Sequence, residues 1–193
     1  MQRVRWPEPD LDPQVVIERT RCWLERAVIG LGLCPFAGPV HRAGRIRYVV
    51  SAAGDAQGLL DDLVAELRRL HDEDPERVET TLLIHPAALT GFLDYNDFLQ
   101  VADAAVAKLG LEGELQVASF HPGYQFAATA ADDIANATNR SPYPMLHLLR
   151  ESSVTRAVDG YPDVERIGER NAETLRRLGK EGWARLVPSG GRD

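Results

Sequence analysis

The chain has 193 residues, of which 44% are apolar and 26% are charged, and these values are ordinary for a globular protein. Its formal net charge of −7 argues against a nucleic-acid binder, because neutralising phosphates requires clustered lysine and arginine. No apolar run is long enough to cross a bilayer, and the polar, proline-bearing start predicts no signal peptide. We therefore expect a cytoplasmic protein with no membrane partner, whose two cysteines, Cys22 and Cys34, are reduced.

The first predicted helix follows an extended arm over residues 1–12. Asp12 followed by Pro13 is typical of a helix start, with a capping side chain and a proline at the first helical position. Apolar residues then recur at helical spacing as far as Gly30 and Gly32, which end the helix. A loop rich in glycine and proline follows.

Strands and amphipathic helices alternate through the middle of the chain. Residues 45–50, 80–84 and 115–120 are short apolar or alternating runs that predict three strands. Between them, residues 57–71 and 94–109 carry apolar stripes at helical spacing and predict two helices. This alternation favours right-handed crossovers and a largely parallel sheet.

The last third of the chain predicts two more helices, over residues 144–151 and 163–180, before a disordered tail over residues 188–193. We therefore predict one α/β domain over residues 13–187, with three or more mainly parallel strands alternating with helices, and helices at both ends. The main alternative is an α+β fold of the ferredoxin-like kind, which has a mixed sheet with helices on one face.

Two of the predicted strands end with a histidine followed by a proline. His85 follows the second strand, and His121 follows the third. If these strands are parallel, both imidazoles lie at the carboxyl edge of the sheet, where open α/β sheets bind ligands. A histidine that only caps a strand end through a backbone hydrogen bond is the alternative. That alternative is favoured for His85 taken alone, whereas the denser motif around His121 favours a function.

Cys34 is the third candidate for chemistry. A nucleophilic cysteine needs its thiolate, and the C-terminus of the preceding helix disfavours negative charge there. A neighbouring cation, or His121, can outweigh that small effect, and a metal would also ionise the thiol. Cys34, His85 and His121 are ligands of the kind that zinc prefers, although their scattered positions match no metal-binding motif. A buried small apolar residue is the alternative role for Cys34.

An anion-binding segment is predicted just before the helix at residues 144–151. An arginine guanidinium and a helix N-terminus together favour an anionic group, and neutral hydrogen bonds can come from nearby amides and hydroxyls. The alternative is that Asn139 and Ser141 only cap a turn. Tyr124 either lines a pocket or packs the loop. The candidate substrate-binding residues are Arg140, Asn139, Ser141, Tyr124 and Arg150.

Three motifs stand out along the chain. They are Leu33-Cys34-Pro35-Phe36, the segment from Phe120-His121-Pro122 to Phe126, and Asn139-Arg140-Ser141-Pro142-Tyr143-Pro144 running into His147-Leu148-Leu149-Arg150. On these motifs the chain resembles the bacterial domain of unknown function family 1415, over about residues 14–180. The resemblance supports the choice of these residues and implies no activity.

Together these residues predict a small-molecule enzyme, a hydrolase or transferase that acts on an anionic metabolite. His121 would be the general acid/base, Arg140 and Asn139 would hold the anionic group, and Cys34 and His85 would support the reaction or take part in it. Two alternatives stay open: a metal-binding protein that uses Cys34, His85 and His121 as ligands, and a non-catalytic module that binds an anionic ligand or a protein. The sequence identifies no cofactor and leaves open whether the chain forms a homodimer.

Overall fold

A computed structural model describes residues 12–161 and 163–187 of the chain. The predicted arm, Asp12 excepted, and the predicted tail over residues 188–193 lie outside these residues. Within them, the chain forms one four-stranded sheet with helices packed against it. None of the helices in this described part of the chain is long and apolar enough to cross a membrane.

Helices and strands alternate along much of the chain. The strands are β1 (Ile46–Val50), β2 (Thr80–Ile84), β3 (Leu115–Phe120) and β4 (Met145–Arg150). The α-helices are α1 (Pro13–Trp23), α2 (Ala37–Arg42), α3 (Ala56–Asp72), α4 (Phe92–Lys108), α5 (Glu151–Asp159) and α6 (Ile167–Leu186). A π-helix (Leu24–Ile29) extends α1, and 3-10 turns cover Ile134–Asn139 and Val164–Arg166. The predicted α/β class, with helices at both ends, is confirmed.

Local sequence signals explain the main helix starts. The carboxylate of Asp12 accepts a hydrogen bond from the Gln14 amide at the start of α1, where Pro13 is the first helical residue. Asp55 caps α3 in the same way, through the Gly58 amide. In both helices the short side chain satisfies an amide that has no partner within the helix. The predicted β1, β2, β3, α3 and α4 begin and end within two residues of the observed positions.

The sheet is mixed, with the strand order β1-β2-β4-β3. β1 and β2 are parallel, with Val50 opposite Ile84. β4 lies between β2 and β3 and runs antiparallel to both. The carboxyl ends of β1, β2 and β3 therefore meet at one edge, as predicted, although only the first pair of neighbours is parallel.

Residues 145–150 form β4, and the helix predicted there is wrong. Their sequence, Met-Leu-His-Leu-Leu-Arg, has good helix propensity and is too short to reveal a period. In the fold, these residues complete the backbone hydrogen bonding of both neighbouring strands, and this outweighs local propensity. Pro142 and Pro144 hold the residues before them in extended conformations, and this signal favours a strand.

Alternating side chains place a hydrophobic layer on each side of the sheet. Leu83 and Leu146 pack against α3 and α4, on what we call the α3/α4 face. Leu82 and Ile84 pack with Trp23 and the π-helix, on what we call the α1 face. Because helices cover both faces, the fold differs from the ferredoxin-like alternative.

Candidate functional site

His85 and His121 lie on the α3/α4 face, one residue beyond the ends of β2 and β3. The last strand residues, Ile84 and Phe120, pack on the α1 face, so the following side chains alternate to the other side. Both histidines are buried, at 0% and 2% exposure, and both rings contact the ring of Tyr95. The two imidazoles therefore meet at the carboxyl edge of the sheet.

Tyr95, from α4, joins the two histidines. Its ring centroid lies 5.7 Å from that of His85 and 5.0 Å from that of His121. Its hydroxyl donates to the Met145 carbonyl at 2.8 Å and accepts from the Phe120 amide at 3.0 Å, so it bridges the ends of β4 and β3. Burial raises the pKa of Tyr95 well above its ordinary value. Tyr95 is thus neutral and held in place, with its ring in contact with both imidazoles.

Hydrogen bonding determines the tautomer of His85. Its Nδ1 lies 2.9 Å from the Ala88 carbonyl oxygen, and since a carbonyl only accepts, Nδ1 carries the proton. Nε2 therefore holds the free lone pair, and it is buried with no hydrogen-bond partner among the residues that the structure describes. Burial lowers the pKa of His85 to about 4, which leaves the ring neutral near pH 7. A buried acceptor without a partner destabilises the fold by about 1–3 kcal/mol, which is a reason to look for a ligand.

His121 has the opposite tautomer, and both of its nitrogens have partners. Nδ1 accepts from the Gly123 amide at 2.9 Å, so Nε2 carries the proton and donates to the Leu89 carbonyl at 3.3 Å. Burial lowers the pKa of His121 as well. With both nitrogens bonded to backbone, His121 has no lone pair to offer a substrate. The geometry therefore favours His85 over His121 as the proton acceptor.

The turn between β2 and α4 closes over the histidine pair. Its carbonyls at Ala88 and Leu89 accept the two imidazole N–H groups described above. Leu89 has φ of +50°, a left-handed conformation that leucine rarely adopts and that stores strain on the order of 1 kcal/mol. The two imidazoles therefore help to hold a strained turn in place.

Cys34 packs on the other side of the sheet. It is a free, partly buried cysteine that contacts the hydrophobic cluster of the α1 face. Because this thiol packs on the α1 face whereas both imidazoles pack on the α3/α4 face, the arrangement lends no support to paired chemistry by Cys34 and His121. Within residues 12–161 and 163–187, no group of three or more His, Cys, Asp and Glu side chains is arranged to hold a metal ion. This weighs against Cys34, His85 and His121 as a set of metal ligands.

Arg140 binds the backbone of the loop that follows His121. It donates from Nε to the Tyr124 carbonyl at 3.1 Å and from Nη2 to the Ala131 carbonyl at 2.7 Å. Its own carbonyl accepts from the Trp23 indole at 2.9 Å, which ties α1 to this loop. The helix N-terminus that was expected to complete an anion site is absent, because β4 follows. Arg140 thus holds the loop against the body of the protein.

Asn139 and Ser141 also bind backbone groups. Asn139 donates from Nδ2 to the Ser119 carbonyl at 3.2 Å, and its own carbonyl accepts from the His121 amide at 3.2 Å. The Ser141 hydroxyl donates to the Tyr143 carbonyl at 2.7 Å. These contacts correspond to the turn-capping alternative. The two contacts of Asn139 place His121 relative to the loop.

Tyr124 packs the loop onto α4. Its ring centroid lies 5.2 Å from that of Phe92 and 5.1 Å from that of Phe126. Phe92 in turn lies 5.5 Å from the ring of His121. The three aromatic rings therefore form one wall beside the histidine pair, in keeping with the packing alternative for Tyr124.

Arg150 lies at the opposite edge of the sheet from the histidines. It ends β4, where it pairs with Leu115 at the start of β3. Its Nη2 donates to the carbonyls of Leu70 and Glu73, both at 2.6 Å, near the end of α3. Arg150 was placed in the site on the assumption that residues 144–151 were helical. With β4 in that position, it stabilises the end of α3 instead.

A cleft of about 520 Å³ opens at the carboxyl end of β1. Its walls are the turn after β1 and the first half of α3, and its polar lining residues are Ser51, Asp61, Asp62 and Glu66. The backbone amide of Ser51 donates to the Ile84 carbonyl at 2.8 Å, which continues the parallel pairing of β1 with β2. Ser51 is therefore the neighbour of His85 in the next register position. The cleft and the histidine pair share one edge of the sheet.

Comparison with known proteins identifies the family of the chain. The sequence model of a family described as "Protein of unknown function (DUF1415)" matches residues 15–185. The chain belongs to this family. The match confirms the resemblance inferred from the three motifs. No curated protein and no solved structure matches this DUF1415 chain.

Sequence reasoning missed two residues at this edge of the DUF1415 fold. Tyr95 was overlooked because it looks like one more apolar residue at the start of the α4 stripe. Ser51 directly follows a predicted strand, as His85 and His121 do, and this shared position is the signal that could have identified it. Ser51 is followed by two alanines, so no reactive side chain next to it marks the position.

Replacing Arg140 by lysine tests its anchoring role. Arg140→Lys is expected to lower the free energy of unfolding by about 1–2 kcal/mol, because an ammonium group cannot keep both fork-shaped bonds to the loop. Urea denaturation measures this, with Arg177→Lys, on the exposed side of α6, as the matched control. If the two variants have equal stability, the anchoring role is contradicted.

Proposed function

We propose that the protein is a small-molecule enzyme, a hydrolase or transferase, in which His85 is the acid–base group. The observation that carries this proposal is the buried Nε2 of His85, which has a free lone pair and no hydrogen-bond partner within residues 12–161 and 163–187. Its other ring nitrogen donates to the Ala88 carbonyl, and this contact keeps the lone pair on Nε2. A neutral imidazole in this tautomer can take a proton from a substrate or a water molecule.

The strand-cap alternative accounts for only half of the His85 geometry. A cap needs the bond from Nδ1 to the Ala88 carbonyl, and that bond is present. It does not need a second nitrogen buried against Tyr95 without a partner, which destabilises the fold. Burying an unsatisfied group is a feature that enzymes tolerate at reactive positions, and this favours the catalytic reading.

In this proposal Tyr95 and His121 are positioning residues. Tyr95 contacts the His85 ring face to face, at an interplanar angle of 20°. His121 bonds to the Leu89 carbonyl and so holds the same turn whose Ala88 carbonyl orients His85. Both therefore act on the orientation of His85, and their loss should reduce turnover less than the loss of His85 itself.

The test of substrate class covers more than the anionic metabolites that the sequence predicts. The case for an anionic metabolite depended on Arg140, and its Nε and Nη2 both bind loop carbonyls. The assay therefore uses one acyl and one phosphoryl substrate, p-nitrophenyl acetate and p-nitrophenyl phosphate. Turnover of either is expected to depend on His85.

His85→Gln keeps a side chain of similar length that cannot accept a proton, so turnover should fall about 100-fold or more. His121→Gln should reduce turnover by a smaller factor, because it acts through position. His71→Gln is the matched control, since His71 is an exposed histidine at the opposite edge that pairs with Glu114 at 2.9 Å. Circular dichroism verifies that each variant is folded.

Two outcomes would overturn the proposal. One is wild-type protein that turns over neither compound. The other is His85→Gln with the same turnover as wild type and His71→Gln, as the metal-binding and binding-module alternatives predict.

A further inference from the structure

We propose that Ser51 is a nucleophile and Asp62 its base, and that the cleft at the end of β1 binds a neutral or cationic acyl compound. This inference rests on the proposed function, because it gives His85 the second half of the reaction. It adds a nucleophile, a place for the substrate and a substrate class.

Ser51 and Asp62 have the geometry of a nucleophile and its base. The Ser51 hydroxyl donates to Asp62 Oδ2 at 2.5 Å, a short charge-assisted bond. It also accepts from the Ala53 amide at 3.1 Å, which fixes its rotamer where it lines the cleft. A hydroxyl nucleophile needs a base within hydrogen-bond reach, and this pair meets that requirement.

The register of the sheet brings Ser51 next to His85. Val49 packs on the α3/α4 face and Val50 on the α1 face, so Ser51 returns to the α3/α4 face, where it meets Asp62 of α3. His85 occupies the equivalent position on β2 and the same face. Neighbouring strands lie about 4.8 Å apart, so the backbone positions of Ser51 and His85 are neighbours across the β1–β2 pair. The Nε2 of His85, buried and without a hydrogen-bond partner among the described residues, is the independent sign that a ligand belongs at this edge of the sheet.

The charge of the cleft selects the substrate. Glu66 is neutralised by Arg47, which donates to its two oxygens at 2.8 and 3.0 Å. In the described part of the chain no cation is paired with Asp61 or Asp62, so we expect the cleft to repel phosphates and carboxylates. A volume of about 520 Å³ is suitable for a small molecule. An ester, thioester or amide without an anionic group fits both the charge and the size.

The reaction balances in two steps. In the first, Ser51 Oγ bonds to the acyl carbon, the Oγ proton passes to Asp62, and the leaving group departs with that proton as its bond to the acyl carbon breaks. In the second, a water oxygen bonds to the acyl carbon as His85 Nε2 takes a proton from the water. The bond from Oγ to the acyl carbon then breaks, and Ser51 recovers the proton from His85.

Stopped-flow absorbance with p-nitrophenyl acetate separates the two steps. Wild-type protein should release a burst of one p-nitrophenolate per chain before slower turnover, and Ser51 should carry an acetyl group in peptides from acid-quenched protein. His85→Gln should keep the burst and lose about 100-fold or more of the later turnover. Ser51→Ala and Asp62→Asn should show no burst, and thermal melting shows whether each is folded.

The matched controls are Ser152→Ala and Asp103→Asn, which change exposed residues on α5 and α4 and should behave as wild type. The serine assignment is overturned if wild type shows no burst, if folded Ser51→Ala keeps it, or if the acetyl group is found elsewhere. A missing burst together with turnover that depends on His85 would remove only this inference. Turnover independent of His85 would remove the proposed function.

Discussion

Acid is expected to destabilise the protein through His85 and His147. Burial lowers the pKa of each to about 4, from an ordinary value of 6.5. Above pH 6.5 these rings are neutral in both the folded and the unfolded chain, so they do not lower the free energy of unfolding. Between pH 6.5 and 4 only the unfolded chain binds the protons, so each histidine removes about 1.4 kcal/mol of unfolding free energy per pH unit. For the fully buried His85 the total is about 3 kcal/mol.

Urea denaturation at pH 7 and pH 5 measures this loss. His85→Gln and His147→Gln should each lose less stability than wild type between the two values, because each removes one titrating ring. His147 donates to the Thr80 hydroxyl at 2.8 Å, so its variant is also expected to be less stable at pH 7. Carboxylates titrate in every variant, and comparison with the exposed His71→Gln removes their contribution. Equal losses in His85→Gln and His71→Gln would contradict the assignment.

Removing the Tyr95 hydroxyl is expected to lower the free energy of unfolding by about 2–4 kcal/mol. In Tyr95→Phe, the Met145 carbonyl and the Phe120 amide lose the hydroxyl that bridges them. Leaving two backbone groups buried without that partner has an effect of this size, although the ring still fills its place. Urea denaturation at pH 7 measures the change.

Tyr124→Phe is the matched control for Tyr95→Phe. The Tyr124 ring packs against Phe92 and Phe126 and is partly exposed, so the loss of its hydroxyl should alter stability by about 0.5 kcal/mol or less. If both variants unfold at the same urea concentration, the bridging role of Tyr95 is wrong.

Elements with a clear period could be predicted from the sequence. The stripes of α3 and α4 and the β-branched or apolar runs of β1, β2 and β3 report burial directly, because each buries one face or both. β4 could not be identified this way, since its six residues favour a helix locally and become a strand only between two others. Val101 shows a related limit: it lies on the predicted apolar stripe of α4 and is nevertheless 41% exposed.

The position of the two histidines could be predicted from the sequence, but their hydrogen bonding could not. Two histidines after parallel strands indicated the carboxyl edge, because that inference needs only strand direction. Which nitrogen is free depends on the turn carbonyls at Ala88 and Leu89, and these contacts have no signature in the sequence. Cys34 was grouped with the histidines by chemical type, whereas the sheet places it on the other face.

The central position of β4 has a consequence for the order of folding. β1, α3 and β2 are contiguous in the chain and can pair early, because closing a short connection loses little chain entropy. Among the strands of the described residues, β3 pairs with β4 alone, and β4 is made later. We therefore expect His85 and His121 to come together only after residues 145–150 have been synthesised. β4, the last of the four described strands to be made, is the one that brings the ends of β2 and β3 together.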